Sequence, residues 1–139
     1  MHIVFVCTGN TCRSPMAEAL LKDKTSVHTV SSCGLSVPFP APAAENAVRV
    51  MAEKGIDISD HRATQLTADT VEKAELILTM TEGHRKILTT LFPSAKEKTH
   101  TLSEFAGENG DIADPFGGDI ETYRLCAAQI AHLLEVAPL

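Results

Sequence analysis

The residues best placed to do chemistry lie in one short run near the start of the chain: Cys7, Thr8, Gly9, Asn10, Thr11, Cys12 and Arg13, followed by Ser14 and Pro15. Five residues separate a thiol from a guanidinium, and none of the five is bulky. A loop of small residues can curl so that its amides converge with those of the following helical turn, making a concave nest for a tetrahedral anion. Helix N-terminal amides and a guanidinium both favour a thiolate, so Cys7 is placed to be a strong nucleophile. The planar fork of Arg13 suits two non-bridging oxygens of a phosphoryl group and keeps its grip as charge redistributes in the transition state. Ser14 can donate its hydroxyl to the sulfur, and Asn10 tolerates the left-handed backbone that so tight a turn demands. The loop lacks the Gly-x4-Gly-Lys-Ser/Thr pattern of a nucleotide loop. Spacing alone is weak evidence, because Cys7 taken by itself is equally a small buried residue at a strand end.

Phosphoryl transfer to a cysteine also needs an acid to protonate the leaving group. Asp114 is the best candidate, in the Gly-rich segment before the last helix; Pro115 holds its backbone extended, so that the carboxylate can reach into a cleft. Taken unaided, an Asp-Pro pair more often just starts a turn.

The flanking elements must carry these residues. Ile3 to Val6 is apolar on both faces and reads as a central strand of a parallel sheet. Ser14 has the type of an N-cap with Pro15 at the first helical position, opening a helix to about Lys24. His28 to Ser32 reads as a second strand, and the proline-dense run from Cys33 to Ala43 as irregular chain that could wall a cleft. Ala43 to Lys54 is helical and stopped by Gly55; a short helix is expected from Thr67 or Ala68 to Lys73. Glu75 to Met80 is a buried strand, Glu82 to Phe92 a helix closed by Pro93, and Thr99 to Leu102 a weaker strand. The terminal helix runs from about Ile120 to Val136. Strands alternating with helices imply an α/β fold with a parallel sheet covered on both faces.

Composition narrows the function. The 139 residues fit a single domain, residues 1–139, with one sizeable core. Eighteen acidic against 12 basic residues give a formal charge of −6, which disfavours nucleic-acid partners and makes any anion site local. The short apolar start fits neither a signal peptide nor a membrane span, so a cytoplasmic protein is expected. Four cysteines without Cys-x-x-Cys spacing are expected to be reduced, and six scattered histidines show no ligand spacing; no metal is assigned.

The runs VCTGNTCRSPMAEA and DPFGG together resemble the low-molecular-weight protein tyrosine phosphatase family, in order and spacing over essentially the whole chain. The resemblance implies a three-layer αβα fold with a four-stranded parallel sheet in the order 2-1-3-4. It implies that Cys7 forms a cysteinyl-phosphate, that Arg13 and the backbone of Thr8, Gly9, Asn10, Thr11 and Cys12 hold the phosphate, and that Asp114 is first general acid and then the base for hydrolysis. No metal or cofactor is implied. A supporting hydrogen-bond network carries over to Asn10, Ser14, Ser32 and His61. Where the family often reads His-x-Ala-Arg-Gln, this chain reads His61-Arg62-Ala63-Thr64-Gln65, so the family's arginine is missing.

Two further departures bear on substrate. Tyrosine-specific members commonly carry a bulky aliphatic residue at Thr11 and a tyrosine pair at Phe116 and Gly117, whereas CTGNTCRS and DPFGG resemble the bacterial protein-arginine phosphatase branch. The short Thr11 hydroxyl leaves room for a planar phosphoguanidino group and offers it an oxygen. Phe116 can stack on the guanidinium and Asp114 can hold it. The expected function is hydrolysis of phosphoarginine in proteins by a monomeric enzyme, with a tyrosine phosphatase as the alternative. A thiol-coupled arsenate reductase shares the loop but needs a later cysteine pair, and residues 75–105 contain no cysteine. A phosphate-binding module without catalysis is disfavoured by the joint presence of Cys7, Arg13 and Asp114. Cys12, a few residues from Cys7, is placed to form a disulfide with it on oxidation and so protect it; it is equally read as a loop filler.

Overall fold

The computed structural model describes residues 1–139. At its centre is strand β1 (His2–Cys7), buried from Ile3 onward. Strand β2 (Thr29–Gly34) lies on one side of it, and β3 (Leu76–Thr79) on the other, with β4 (Thr99–Thr101) beyond β3; all pairs are parallel and the order is β2-β1-β3-β4. The register brings Cys7 opposite Gly34 and Val6 opposite Thr79, so the strands on both sides end beside the loop that follows β1.

Alternation along β1 divides the core. Ile3, Phe5 and Cys7 face a cluster built with helix α1 (Arg13–Lys24), helix α2 (Glu45–Glu53) and the terminal helix, whose members include Met16, Leu21, Met51, Tyr123 and Ile130. Val4 and Val6 face the other cluster, with Val71 of α3 (Ala68–Lys73) and Leu88 of α4 (Glu82–Leu91). Each fully buried side chain such as Phe5 or Ile77 contributes about 1.5–3 kcal/mol through removal from water. The fold is therefore three-layered, with both sheet faces covered.

Several boundaries differ from those expected. Helix α1 starts at Arg13, not after Ser14: its N-cap is Cys12, which makes no side-chain cap bond, and Pro15 is the third helical residue. Ser14 lies inside the first turn because its hydroxyl is engaged by Cys7 and Asn10. Strand β2 runs on to Gly34, since Cys33 and Gly34 continue the ladder with β1. Helix α2 begins at Glu45, as the amide of Ala44 is taken by the carbonyl of Thr11. Two small elements were not anticipated: a 3-10 segment (Pro93–Lys98) and helix α5 (Leu102–Phe105), the latter capped by the Thr101 hydroxyl. Helix α6 (Ile120–Val136) begins at the Asp119 cap.

Candidate active site

Residues Thr8 to Cys12 join β1 to α1 as a tight loop, with Asn10 at its turning point in the left-handed region, φ 57°. The loop's carbonyls point outward to partners on surrounding segments: Thr8 to the amide of Ser36 at 3.0 Å, Thr11 to that of Ala44 at 2.9 Å, and Asn10 to Nε2 of His61 at 2.7 Å. No amide from Thr8 to Cys12 donates to a backbone carbonyl. The same residues line a cleft of about 210 Å³ formed by Cys7 through Arg13, Asp114 and Phe116. A larger cavity of about 470 Å³ lies along α1, beside Glu18, Lys22 and Asp57, and holds neither thiol nor Arg13. The chemistry therefore belongs to the smaller cleft.

Packing around the loop is tight. A Cβ on Gly34 would lie 2.6 Å from the carbonyl oxygen of Thr8 and 3.1 Å from the amide of Asn10, so only glycine fits beneath the turn. In the Asp-Pro segment, a Cβ on Gly118 would lie 2.9 Å from the Pro115 carbonyl oxygen.

A directed chain of hydrogen bonds reaches the sulfur. Asn10, fully buried, donates Nδ2 to the hydroxyls of Ser14 at 2.8 Å and Ser32 at 2.9 Å, while its Oδ1 accepts from the amide of Thr64 at 2.9 Å. Because Ser14 accepts from Asn10, its own proton is free to point at Cys7 Sγ, 2.9 Å away. Ser32 in turn donates to Oε1 of Glu18 at 2.6 Å. His61 donates to the Asn10 carbonyl, which fixes its Nε2 as protonated. The expected partners Asn10, Ser14, Ser32 and His61 are thus brought together, and Glu18 and Thr64 join them.

Arg13 is 5% exposed. One guanidinium nitrogen donates to the carbonyl of Ile112 at 2.9 Å, Nη2 lies 3.6 Å from Asp114 Oδ2, and Nε is buried without a partner. The Ile112 bond aims the fork, leaving donors for an anion. Asp114 is half exposed and accepts from the amide of Phe116 through Oδ1 at 3.0 Å, so a short turn presents its carboxylate at the cleft. The screened contact with Arg13 adds little stability. Phe116 is 76% exposed, an aromatic wall open to whatever enters.

Of the remaining thiols, Cys12 and Cys126 lie on the same sheet face as Cys7, and Cys33 lies on the other. Cys12 is buried, its Sγ 3.3 Å from the Tyr123 hydroxyl, and burial pushes its thiol up. Burial likewise raises Cys33 to about 11 in the α3/α4 cluster and Cys126 to about 12 in the α1/α6 cluster. All four cysteines are free.

Four contributors escaped the sequence reading: Glu18, Thr64, Tyr123 and His84, whose Nε2 lies 2.8 Å from Thr8 Oγ1. Glu18 alone carried a signal, four residues after Ser14 on the same helical face. Thr64 stands where the family has its arginine, while Arg62, at the variable position, stays on the surface and donates to the carbonyl of His61.

Comparison with known proteins matches this architecture closely. A protein-arginine-phosphatase of Geobacillus stearothermophilus is 46% identical over 136 residues, covering 96% of this chain and 91% of that one. The solved YwlE arginine phosphatase from Geobacillus stearothermophilus superposes with a TM-score of 0.93 at 45% identity, over 97% of this chain and 88% of that chain. The low molecular weight protein tyrosine phosphatase from T. tengcongensis gives a TM-score of 0.95 at 39% identity, over 98% and 96%. The model of low molecular weight phosphotyrosine protein phosphatases matches residues 2–136, and this chain belongs to that family.

Proposed function

We propose that this protein is a protein-arginine phosphatase acting through a cysteinyl-phosphate. Cys7 attacks phosphorus as the P–N bond breaks, and Asp114 delivers a proton to the departing guanidino nitrogen. Water then attacks the phosphocysteine with Asp114 as base, releasing inorganic phosphate and restoring the thiolate. The loop amides and Arg13 hold the phosphoryl oxygens throughout, at the same donors in the ground state and at greater advantage as charge builds on the oxygens. Ser14 orients the sulfur and relieves the thiolate when it re-forms.

The observation that carries the arginine assignment is the placing of Thr11, Asp114 and Phe116 around one cleft with Cys7. A hydroxyl, a carboxylate and an aromatic face are complementary to a planar cationic guanidino group in edge, charge and surface. Relatives named as arginine phosphatases support the same substrate.

Cys7→Ala should abolish turnover, and Asp114→Ala should slow phosphoarginine peptides far more than aryl phosphates whose leaving group needs no proton. Equal losses on both substrates would remove Asp114 from the acid role.

Four free thiols support a working environment in the reducing cytoplasm. It also makes the enzyme redox-sensitive: hydrogen peroxide converts the Cys7 thiolate to a sulfenic acid, and Cys12 displaces hydroxide to form a disulfide. Mass mapping after mild peroxide should find the Cys7 to Cys12 link; sulfonic acid on Cys7 with Cys12 unmodified would contradict it.

A further inference from the structure

His84 has no part in the chemistry above, yet it is 6% exposed and touches the loop directly. Its Nε2 lies 2.8 Å from Thr8 Oγ1, while its Nδ1 is buried without a partner. The Thr8 hydroxyl is thus the hydrogen-bonding partner of the ring. The ring is held in place by its own backbone: the amide of His84 donates to the Thr81 hydroxyl at 3.0 Å, the N-cap of α4. Since β3 neighbours β1, the first turn of α4 comes up beside the residue that follows the nucleophile.

Thr8 is therefore clamped from two sides. Ser36 N–H holds its carbonyl, and His84 holds its side chain. Holding both restrains rotation of the peptide groups on either side of Thr8, whose amides have no backbone acceptor.

We infer that His84 is a positioning residue of the phosphoryl-binding loop: through the Thr8 hydroxyl it fixes the peptide groups after Cys7 and so sets how tightly the loop holds an anion. The inference rests on reading the Thr8–Arg13 loop as a phosphoryl cradle. The charged groups around the ring are Arg13 from α1, Asp111 and Asp114 from the segment before α6, and, on α4 itself, Glu82 and Arg85, which pair with each other. Burial, and then Arg13, keep the ring neutral, so it serves as a hydrogen-bond partner and adds no second cation to the cradle.

The test uses the full chain and inorganic phosphate as the probe, its binding read by titration calorimetry, which needs no turnover. Alongside it, kcat and KM are measured with an aryl phosphate. His84→Ala should weaken phosphate binding and raise KM by about three- to ten-fold, the scale of one hydrogen bond, with kcat within about twofold. His84→Gln, whose amide nitrogen reaches about as far as Nε2, should return both to within about twofold of wild type. His84→Asn, which reaches only the Nδ1 position, should not. Thr8→Val should share the defect of His84→Ala, and the double variant should be no worse than either. Additive defects, or Gln and Asn behaving alike with both folded, would overturn the inference, as would unchanged phosphate binding in His84→Ala. A wild-type protein that binds no phosphate would instead overturn the reading of the loop itself.

Discussion

Replacing Asn10 should damage the protein more than any other single change in the loop, and in two separable parts. Its side chain is fully buried and makes three hydrogen bonds, to Ser14, Ser32 and the amide of Thr64. At about 0.5–1.5 kcal/mol each, their loss in Asn10→Ala costs roughly 2–4 kcal/mol. The backbone at φ 57° adds about 1 kcal/mol for alanine, which glycine does not incur. Asn10→Ala should therefore lose roughly 3–5 kcal/mol, and Asn10→Gly about 1 kcal/mol less. For a chain of this length that lowers Tm by on the order of 10 °C. Urea unfolding followed by circular dichroism reads the difference through the shift in midpoint at constant slope. Because Ser14 would lose the donor that turns its proton to the sulfur, kcat/KM should fall by at least about tenfold in both variants. An alanine variant within about 0.5 kcal/mol of wild type would show that the buried bonds of Asn10 do not hold the turn, and a glycine variant no more stable than the alanine one would show that its left-handed backbone carries no strain.

Two other perturbations test the surroundings of the loop. Gly34→Ala would drive a methyl group to 2.6 Å from the Thr8 carbonyl oxygen, so the turn must shift; activity should drop at least about tenfold, with weaker phosphate binding and the fold retained by circular dichroism. For pH, His84 is held down at about 4 by burial and by Arg13, while the unfolded chain titrates near 6.5. Between those values the unfolded state takes up a proton that the folded state refuses, so stability present above pH 6.5 is lost as pH falls toward 4, by on the order of 3 kcal/mol. His84→Gln should flatten that segment of the stability curve, measured by urea midpoints across the range.

The strands and longer helices were legible because their apolar patterns were long and bounded: Ile3 to Val6, Leu76 to Leu78 and the stripe of the last helix all bury as their spacing implies. The order 2-1-3-4 came from the family resemblance, since spacing alone does not say which strand lies beside β1. The helix start was misread because Ser14 has the residue type of a cap, whereas tertiary partners, the Cys7 sulfur and Asn10, claim its hydroxyl. The clustering of Cys7, Arg13 and Asp114 was legible in kind, through a loop at the carboxyl end of a central strand. Glu18, Thr64 and His84 were not, because each joins the site through a contact set by packing: Glu18 through Ser32, Thr64 through its backbone, His84 across from β3. The short helix at Leu102–Phe105 escaped because four residues carry too little periodicity to be read.

Substrate choice by the cleft is decided by one kinetic comparison. Peptides of matched sequence carrying phosphoarginine or phosphotyrosine are offered to the wild type and to Thr11→Ile, and kcat/KM is measured for each pair. The wild type should prefer phosphoarginine, and the isoleucine, by filling the wall and removing the hydroxyl, should move the preference toward phosphotyrosine. A clear wild-type preference for phosphotyrosine, unchanged in Thr11→Ile, would contradict the arginine assignment and leave a tyrosine phosphatase.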